Sequence, residues 1–293
     1  MRHVAKAVFC LSIIAFLSGC GLTGNQIVKT QSFGTATANI GRIGEEEFIN
    51  IRNGIIEMNT ELLSIDNSKT SNSLVLDKPA YAEDTSKRVA ACKSLKLYGE
   101  LLTQLVSKDR SANLKKSANA LLDNTGAALG KELSDEKKGA INKIIVGLGS
   151  FWVDRKKADA AKEIILVYQQ PVDELANLLR EDFSLEENSL GYLKAYESTA
   201  KRLKNVAMRL VNAGSKYTLL ERERAVHAFV LSEKAISRSN ILSSKAMTSI
   251  DGLKKANTEL ATVMSNNQSS TDDIKNYARQ IQGLVNMYQV LSK

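Results

Sequence analysis

Proline occurs only twice in 293 residues and aromatic side chains make up only 5% of them, which argues against a β-rich fold with its many turns and aromatic strands. Histidine is equally scarce. His227 stands alone outside the N-terminal segment, so neither a His-rich metal site nor a pair of imidazoles sharing acid and base roles is available. A phosphate-cradling glycine loop is also missing: Gly147-Leu148-Gly149 lacks both the further glycine and the preceding strand that such a loop needs. No cofactor and no catalytic constellation is expected, and the chain does not read as an enzyme. Carboxylates are plentiful, but Glu45-Glu46-Glu47 and Asp272-Asp273 are expected near helix starts, where the helix dipole accounts for them.

The three cysteines are Cys10, Cys20 and Cys92. The first lies in an uncharged apolar run, Ala7 to Leu17, that follows Arg2 and Lys6. At about 1.5 Å per residue this run covers roughly 17 Å, about half a bilayer core, which suits the apolar region of a signal sequence better than a permanent membrane span. Small residues follow it, in Leu17-Ser18-Gly19-Cys20. This tetrad resembles the lipobox of bacterial lipoproteins, in which the cysteine receives a diacylglycerol and becomes the first residue of the mature chain. The resemblance implies a signal peptide over 1–19, lipidation of Cys20 and attachment to a membrane through that lipid. Gly21-Leu22 lacks the aspartate that resembles an inner-membrane retention signal, which implies an outer membrane facing the periplasm in a diderm. Cys92 is then the only free thiol, and its spacing with Val89 and Leu95 makes it a small buried hydrophobe.

The formal net charge of +8 is a mild basic excess, two units of which sit in the signal. In an exported protein it favours anionic lipid, envelope polymers or an acidic partner over nucleic acid. A hydrophobic content of 43% is enough for a substantial core.

Beyond a polar spacer, read as a flexible tether over 20–30, apolar residues recur at steps of three and four almost throughout. Phe48, Ile51, Ile55, Met58, Leu62 and Ile65 form one seam of a helix expected from about Gln31 to Asp66. Upstream, the register lands on Gly34, Thr37, Gly41 and Gly44, which either admit a neighbouring backbone or give way to Ile40 and Ile43 as the buried face. A loop over 67–84 follows, with Leu74 to Leu76 as a lone extended segment or a plug, and helix resumes at Thr85 or Ser86. Leu95, Leu102 and Leu105 line the next helix, and Leu114, Ala118 and Leu121 the one after. Pro171 is expected to kink the helix that carries Ile165, Tyr168, Val172 and Leu175. Ser184 with Glu187 has the spacing of a capping box and predicts a fresh helix start. The most regular seam runs from Leu193 to Tyr217, with Lys201, Arg202, Lys204 and Arg209 pointing outward. A hinge near Ser237 to Asn240 separates later seams, one of which holds the polar Asn257. The fold class is therefore all-α, an elongated antiparallel helical bundle with coiled-coil-like seams and six or seven helices, forming one domain over 31–293.

The most apolar part of this domain is Ala140 to Val153, followed by Asp154-Arg155-Lys156-Lys157 and a second apolar patch at Ile164 to Tyr168. Two readings apply. Ile141, Ile144, Ile145, Leu148 and Trp152 share a helical face and form core, or the two patches over 140–167 are arms of a hairpin that enters a membrane with Ile144, Ile145, Leu148, Phe151 and Trp152 in contact with lipid. The second layout is similar in outline to bacterial α-helical pore-forming toxins. The leading expectation is a lipid-anchored scaffold or interaction module of the cell envelope, working with a protein partner there. The alternative is a membrane-active protein built on the hairpin.

Overall fold

The stepped apolar residues from Phe48 to Ile65 do form one face of a long helix, and each of them is at most 8% exposed. The computed structural model describes residues 22–66, 75–107, 114–147, 154–213, 217–266 and 272–291, with the backbone alone for 144–147, 154, 155, 290 and 291. Eight helices lie among the described residues, one more than expected, and no strand: α1 (Gly24–Ile65), α2 (Ala82–Val106), α3 (Leu114–Leu129), α4 (Asp135–Gly147), α5 (Asp154–Phe183), α6 (Tyr192–Asn212), α7 (Leu219–Asn266) and α8 (Asp273–Leu291). At about 1.5 Å per residue α1 and α7 are roughly 63 and 72 Å long, and they set the length of the bundle.

Cross-helix contacts give the topology. α7 runs antiparallel to α1, with Gln26 Nε2 donating to the Val263 carbonyl at 3.0 Å near one end and Arg238 on Glu47 nearer the other. α8 returns parallel to α1, matching Tyr277 to Thr37 and Tyr288 to Asn50. α2 runs antiparallel to α1, and α5 runs antiparallel to both α2 and α7, with Tyr98 stacked on Tyr168, Arg88 on Asp182 and Asn257 on Asp173. α6 packs against α1 and α7. α3 packs on α2, and α4 lies against α3 and α5.

Along α1 the two alternatives for its upstream face hold together. Gly34, Thr37, Gly41 and Gly44 are buried, and so are Ile40 and Ile43. The glycines face α2. A Cβ on Gly34 would lie 2.7 Å from the Gly99 carbonyl oxygen, one on Gly41 would lie 2.5 Å from the Cys92 oxygen and the Lys96 nitrogen, and one on Gly99 would run into the Gly34 carbonyl. The two helix backbones therefore touch directly, a spacing that any side chain would forbid.

Several local expectations are corrected. Residues 24–30 are not a flexible tether: Thr23 and Gln26 form a capping box at 2.9 and 3.2 Å, Gln26 and Thr30 are buried, and Leu22 packs against the core, so α1 starts seven residues before Gln31. α2 starts at Ala82, ahead of Thr85, because Thr85 Oγ1 turns inward to the Tyr81 carbonyl and the Tyr192 hydroxyl. Ser184 caps only a turn, accepting from the Glu186 amide at 3.2 Å, while Glu187 is exposed and α6 begins at Tyr192. No hinge occurs at Ser237 to Asn240. The helix passes through, since Ser239 is buried and returns its hydroxyl to the Ala235 carbonyl at 2.8 Å. Pro171 lies inside a continuous α5. Val75 and Leu76 are exposed and do not plug the bundle. Asn59, itself buried, donates instead to the carbonyls of Leu76 and Lys78 at 2.8 and 2.9 Å, and Ala80 fills the core behind them.

The glycine contact predicts a contrast between positions. Gly99→Ala places a methyl against the α1 backbone and should cost about 1–3 kcal/mol, whereas Gly139→Ala and Gly283→Ala, where nothing stands within 4 Å, should gain about 0.5–1 kcal/mol each. Urea unfolding of the three variants measures this, and equal effects at Gly99 and Gly283 would contradict the contact.

Candidate functional site

Midway along α1, Glu47 is turned into the bundle with its side chain 1% exposed. The helix starts at Gly24, so Glu45-Glu46-Glu47 lies far from the helix start that the sequence suggested, and only one of the three glutamates is fully buried. Asp272-Asp273, by contrast, does stand at the start of α8. Arg238 of α7 meets the Glu47 carboxylate with two bonds, Nε at 3.2 Å and the terminal nitrogen at 2.7 Å. Close by, Asn50 Nδ2 donates to the Tyr288 hydroxyl at 3.0 Å, and Gly54 makes room for the Tyr196 ring. Four helices, α1, α6, α7 and α8, thus converge on one polar cluster. Burial is the strongest influence on Glu47 and pushes its carboxyl above the usual range, against the pull of Arg238.

A second cluster ties α2 to α5 and α6. Arg88 holds Asp182 through Nε at 2.8 Å and lies 4.5 Å above the Tyr192 ring, while the Tyr192 amide donates to the same carboxylate at 3.4 Å. Burial again raises the Asp182 carboxyl, opposed by Arg88. At the end of the bundle where α1 begins, Glu259 accepts from Lys29 and from the Ile274 amide at 2.7 Å, so one carboxylate joins α1 and α7 and caps α8. These groups are closed off by packing and hold helices in register. Among the described residues no three metal-ligating side chains come together.

The surface offers two other features. A groove of about 370 Å³ runs between α1 and α8, lined by Val28, Gln31, Ala36, Asn39, Ile281 and Gln282 among others. At the end of the bundle away from Gly24, the first turns of α7 project past α1: His227 Nδ1 lies 3.9 Å from Glu61, so Leu219 stands about 6 Å beyond the last turn of α1. Leu219 is 85% exposed there, and Leu220, Val226, Val230 and Met208 are also exposed.

The sequence-predicted sites fall as follows. Cys20, Leu148, Phe151 and Trp152 lie outside the described residues, and for Ile144 and Ile145 the backbone alone is described, within α4. Ala140, Ile141, Ile164, Ile165 and Tyr168 are core. The outward basic strip on α6 is partly satisfied within the fold. Lys201 pairs with Glu197 at 2.7 Å, Arg202 donates to Asn59 at 2.6 Å, Lys204 pairs with Glu233, and Arg209 is exposed. Asn257 is buried in its seam and donates to the Gln169 carbonyl at 2.9 Å, so it fixes the register of α7 against α5 and does not lie at the bundle edge. Sequence reasoning missed Glu47, Arg238, Arg88 and Asp182. The one available signal was that Glu47 precedes Phe48, Ile51 and Ile55 in the seam by one, four and eight positions, close enough to its edge to be covered.

Two outcomes follow for the Glu47 cluster. Arg238→Met should destabilise by about 3 kcal/mol because it strands a buried carboxylate, and the Glu47→Met/Arg238→Met pair should recover most of that loss. For pH, the folded protein binds the Glu47 proton more readily than the unfolded chain does. Stability therefore rises as pH falls from neutral through the raised value toward the ordinary 4.5, and is lost again as pH rises. The stability of the native protein relative to Glu47→Gln should increase over this acid window in denaturant titrations; a constant difference would contradict it.

Comparison with known proteins gives no relative: no family model, no curated protein and no solved structure matches this chain.

Proposed function

We propose that this protein is a lipid-anchored scaffold of the bacterial cell envelope, tethered through Cys20 and presenting helix faces to a protein partner. The observation that carries the reading is the contrast between the two ends of the bundle. α1 begins at Gly24, four residues after the lipobox cysteine, and the apolar, exposed start of α7 stands at the opposite end, roughly 65 Å away along α7 from Val263 to Leu219. An anchor at one end and a sticky tip at the other suit a rigid spacer that reaches from the membrane to a partner. In a diderm the anchor is placed in the outer membrane on the periplasmic side. The buried state of Ala140, Ile141, Ile164, Ile165 and Tyr168 favours this reading over an inserting hairpin across 140–167, whose second arm would have to leave the core. No helix among the described residues is long and apolar enough to cross a membrane.

The anchor is tested by metabolic labelling with a fatty-acid probe. The native protein should incorporate it and fractionate with membranes, and Cys20→Ala should do neither. Equal labelling of the two would remove the basis of the proposal.

A further inference from the structure

The end of the bundle where α1 begins carries more than the chain's entry point. Ser107, just past α2, accepts from Lys157 Nζ of α5 at 3.3 Å, and Thr103 of α2 packs on Gly34. The end of α2 and the start of α5 are therefore level with the first turns of α1. α3 starts at the same level. Lys131, just past its end, pairs with Glu174 of α5 at 2.8 Å, and counting back along both helices at about 1.5 Å per residue brings Leu114 level with Lys157. α3 and α5 thus start beside α1 at this end, where α8 is also capped, and they bring exposed lysines to it: Lys115 and Lys116 on α3 and Lys156 on α5.

What sets these three lysines apart is their place beside the start of α1, because among the described residues several lysines on the sides of the bundle, Lys234 and Lys245 included, also face no carboxylate. Lys131, Lys138, Lys143, Lys201 and Lys204 each face a glutamate. Among the described residues Lys115, Lys116 and Lys156 have no such partner, and the exposed carboxylates nearest this end are Asp159 and Asp272. Among the described residues, these lysines therefore present positive charge at this end that no ion pair takes up.

We infer that this end face, through Lys115, Lys116 and Lys156, docks on the anionic lipid headgroups of the membrane that holds the anchor, so that the bundle stands on the bilayer with the α6–α7 end pointing away. The inference rests on the lipid-anchor reading, and the length of free chain makes it specific. Leu22 packs against the core, so only Gly21 separates it from Cys20, and two residue steps span at most about 7 Å. That distance is shorter than the Debye length of about 8 Å at physiological salt, so lysines at this end feel the charge of the headgroups they are held against. The two acyl chains of a diacylglyceryl anchor already hold a chain to the bilayer, so attraction of this kind sets the orientation of the bundle on it.

The test is lysine footprinting of the full acylated chain with an amine-reactive reagent and mass spectrometry. The protein is reconstituted in vesicles of phosphatidylcholine with about a quarter phosphatidylglycerol, and separately in pure phosphatidylcholine. Lys234 and Lys245, both exposed on α7 and farther from the α1 start, serve as internal references. In the anionic vesicles Lys115, Lys116 and Lys156 should react about five-fold more slowly than in neutral ones, relative to those references, and the protection should disappear in about 1 M salt. Equal reactivity in the two vesicle types, on protein that floats with the vesicles, overturns the docking face while leaving the anchor intact. Protein that fails to float with either vesicle overturns the anchor and the docking face together.

Discussion

The direct contact of the α1 and α2 backbones at Gly34, Gly41 and Gly99 sets the spacing on which the rest of the bundle depends. With no side chains between them, the two helices form a narrow ridge, and the neighbouring large residues are forced outward to either side of it. Phe33 meets Tyr98 edge-on and Tyr277 at a tilt, and Tyr98 stacks on Tyr168, so aromatic rings from α1, α2, α5 and α8 pack around the ridge. α5 and α3 close over α2 on one side. α6, α7 and α8 close over α1 on the other. Helix α1 ends up covered almost all round between Phe33 and Phe48, which explains why its apolar positions there exceed one seam.

Seams of small and aliphatic residues specify that helices pack, but they leave the axial register loosely defined, because sliding by one heptad keeps apolar against apolar. Buried polar pairs remove that freedom. Glu47 with Arg238, Arg88 with Asp182, Asn257 with the Gln169 carbonyl and Glu259 with Lys29 each join a different set of helices at a different level. A one-heptad slip would separate every pair and strand charges in the core. The long helices are thereby locked at several heights.

That rigidity bears on the proposed role. The capping box of Thr23 and Gln26 starts α1 at Gly24, so an anchor at Cys20, as proposed, would leave little free chain between itself and the bundle. The exposed apolar start of α7 lies at the opposite end of the bundle, which under the proposed role would keep it clear of the anchoring membrane.

The sequence by itself determined the all-α class, the apolar seams of the helices and the burial of Cys92, and it left Asn257 open between a buried, register-fixing place and the bundle edge. Steps of three and four are a local property: they place side chains on one face of a helix whatever that helix later meets. The lipobox is equally local and was legible at once, although Cys20 and the disputed apolar residues from Leu148 to Trp152 fall outside the described residues. Tertiary structure decided that Glu47 meets Arg238 inside the bundle while Glu45 faces Lys96 at its edge and Glu46 is exposed, although the place of Glu47 beside the seam already hinted at its burial. It decided that α1 reaches back to Gly24, where a polar, glycine-containing stretch is helical because Gln26 and Thr30 are covered by α7 and α8. It decided that Ser184 and Glu187 fail as a helix start while Ser237 to Asn240 fail as a break. Capping signals and small polar residues are weak local biases of about 1 kcal/mol, and packing against a long neighbour outweighs them.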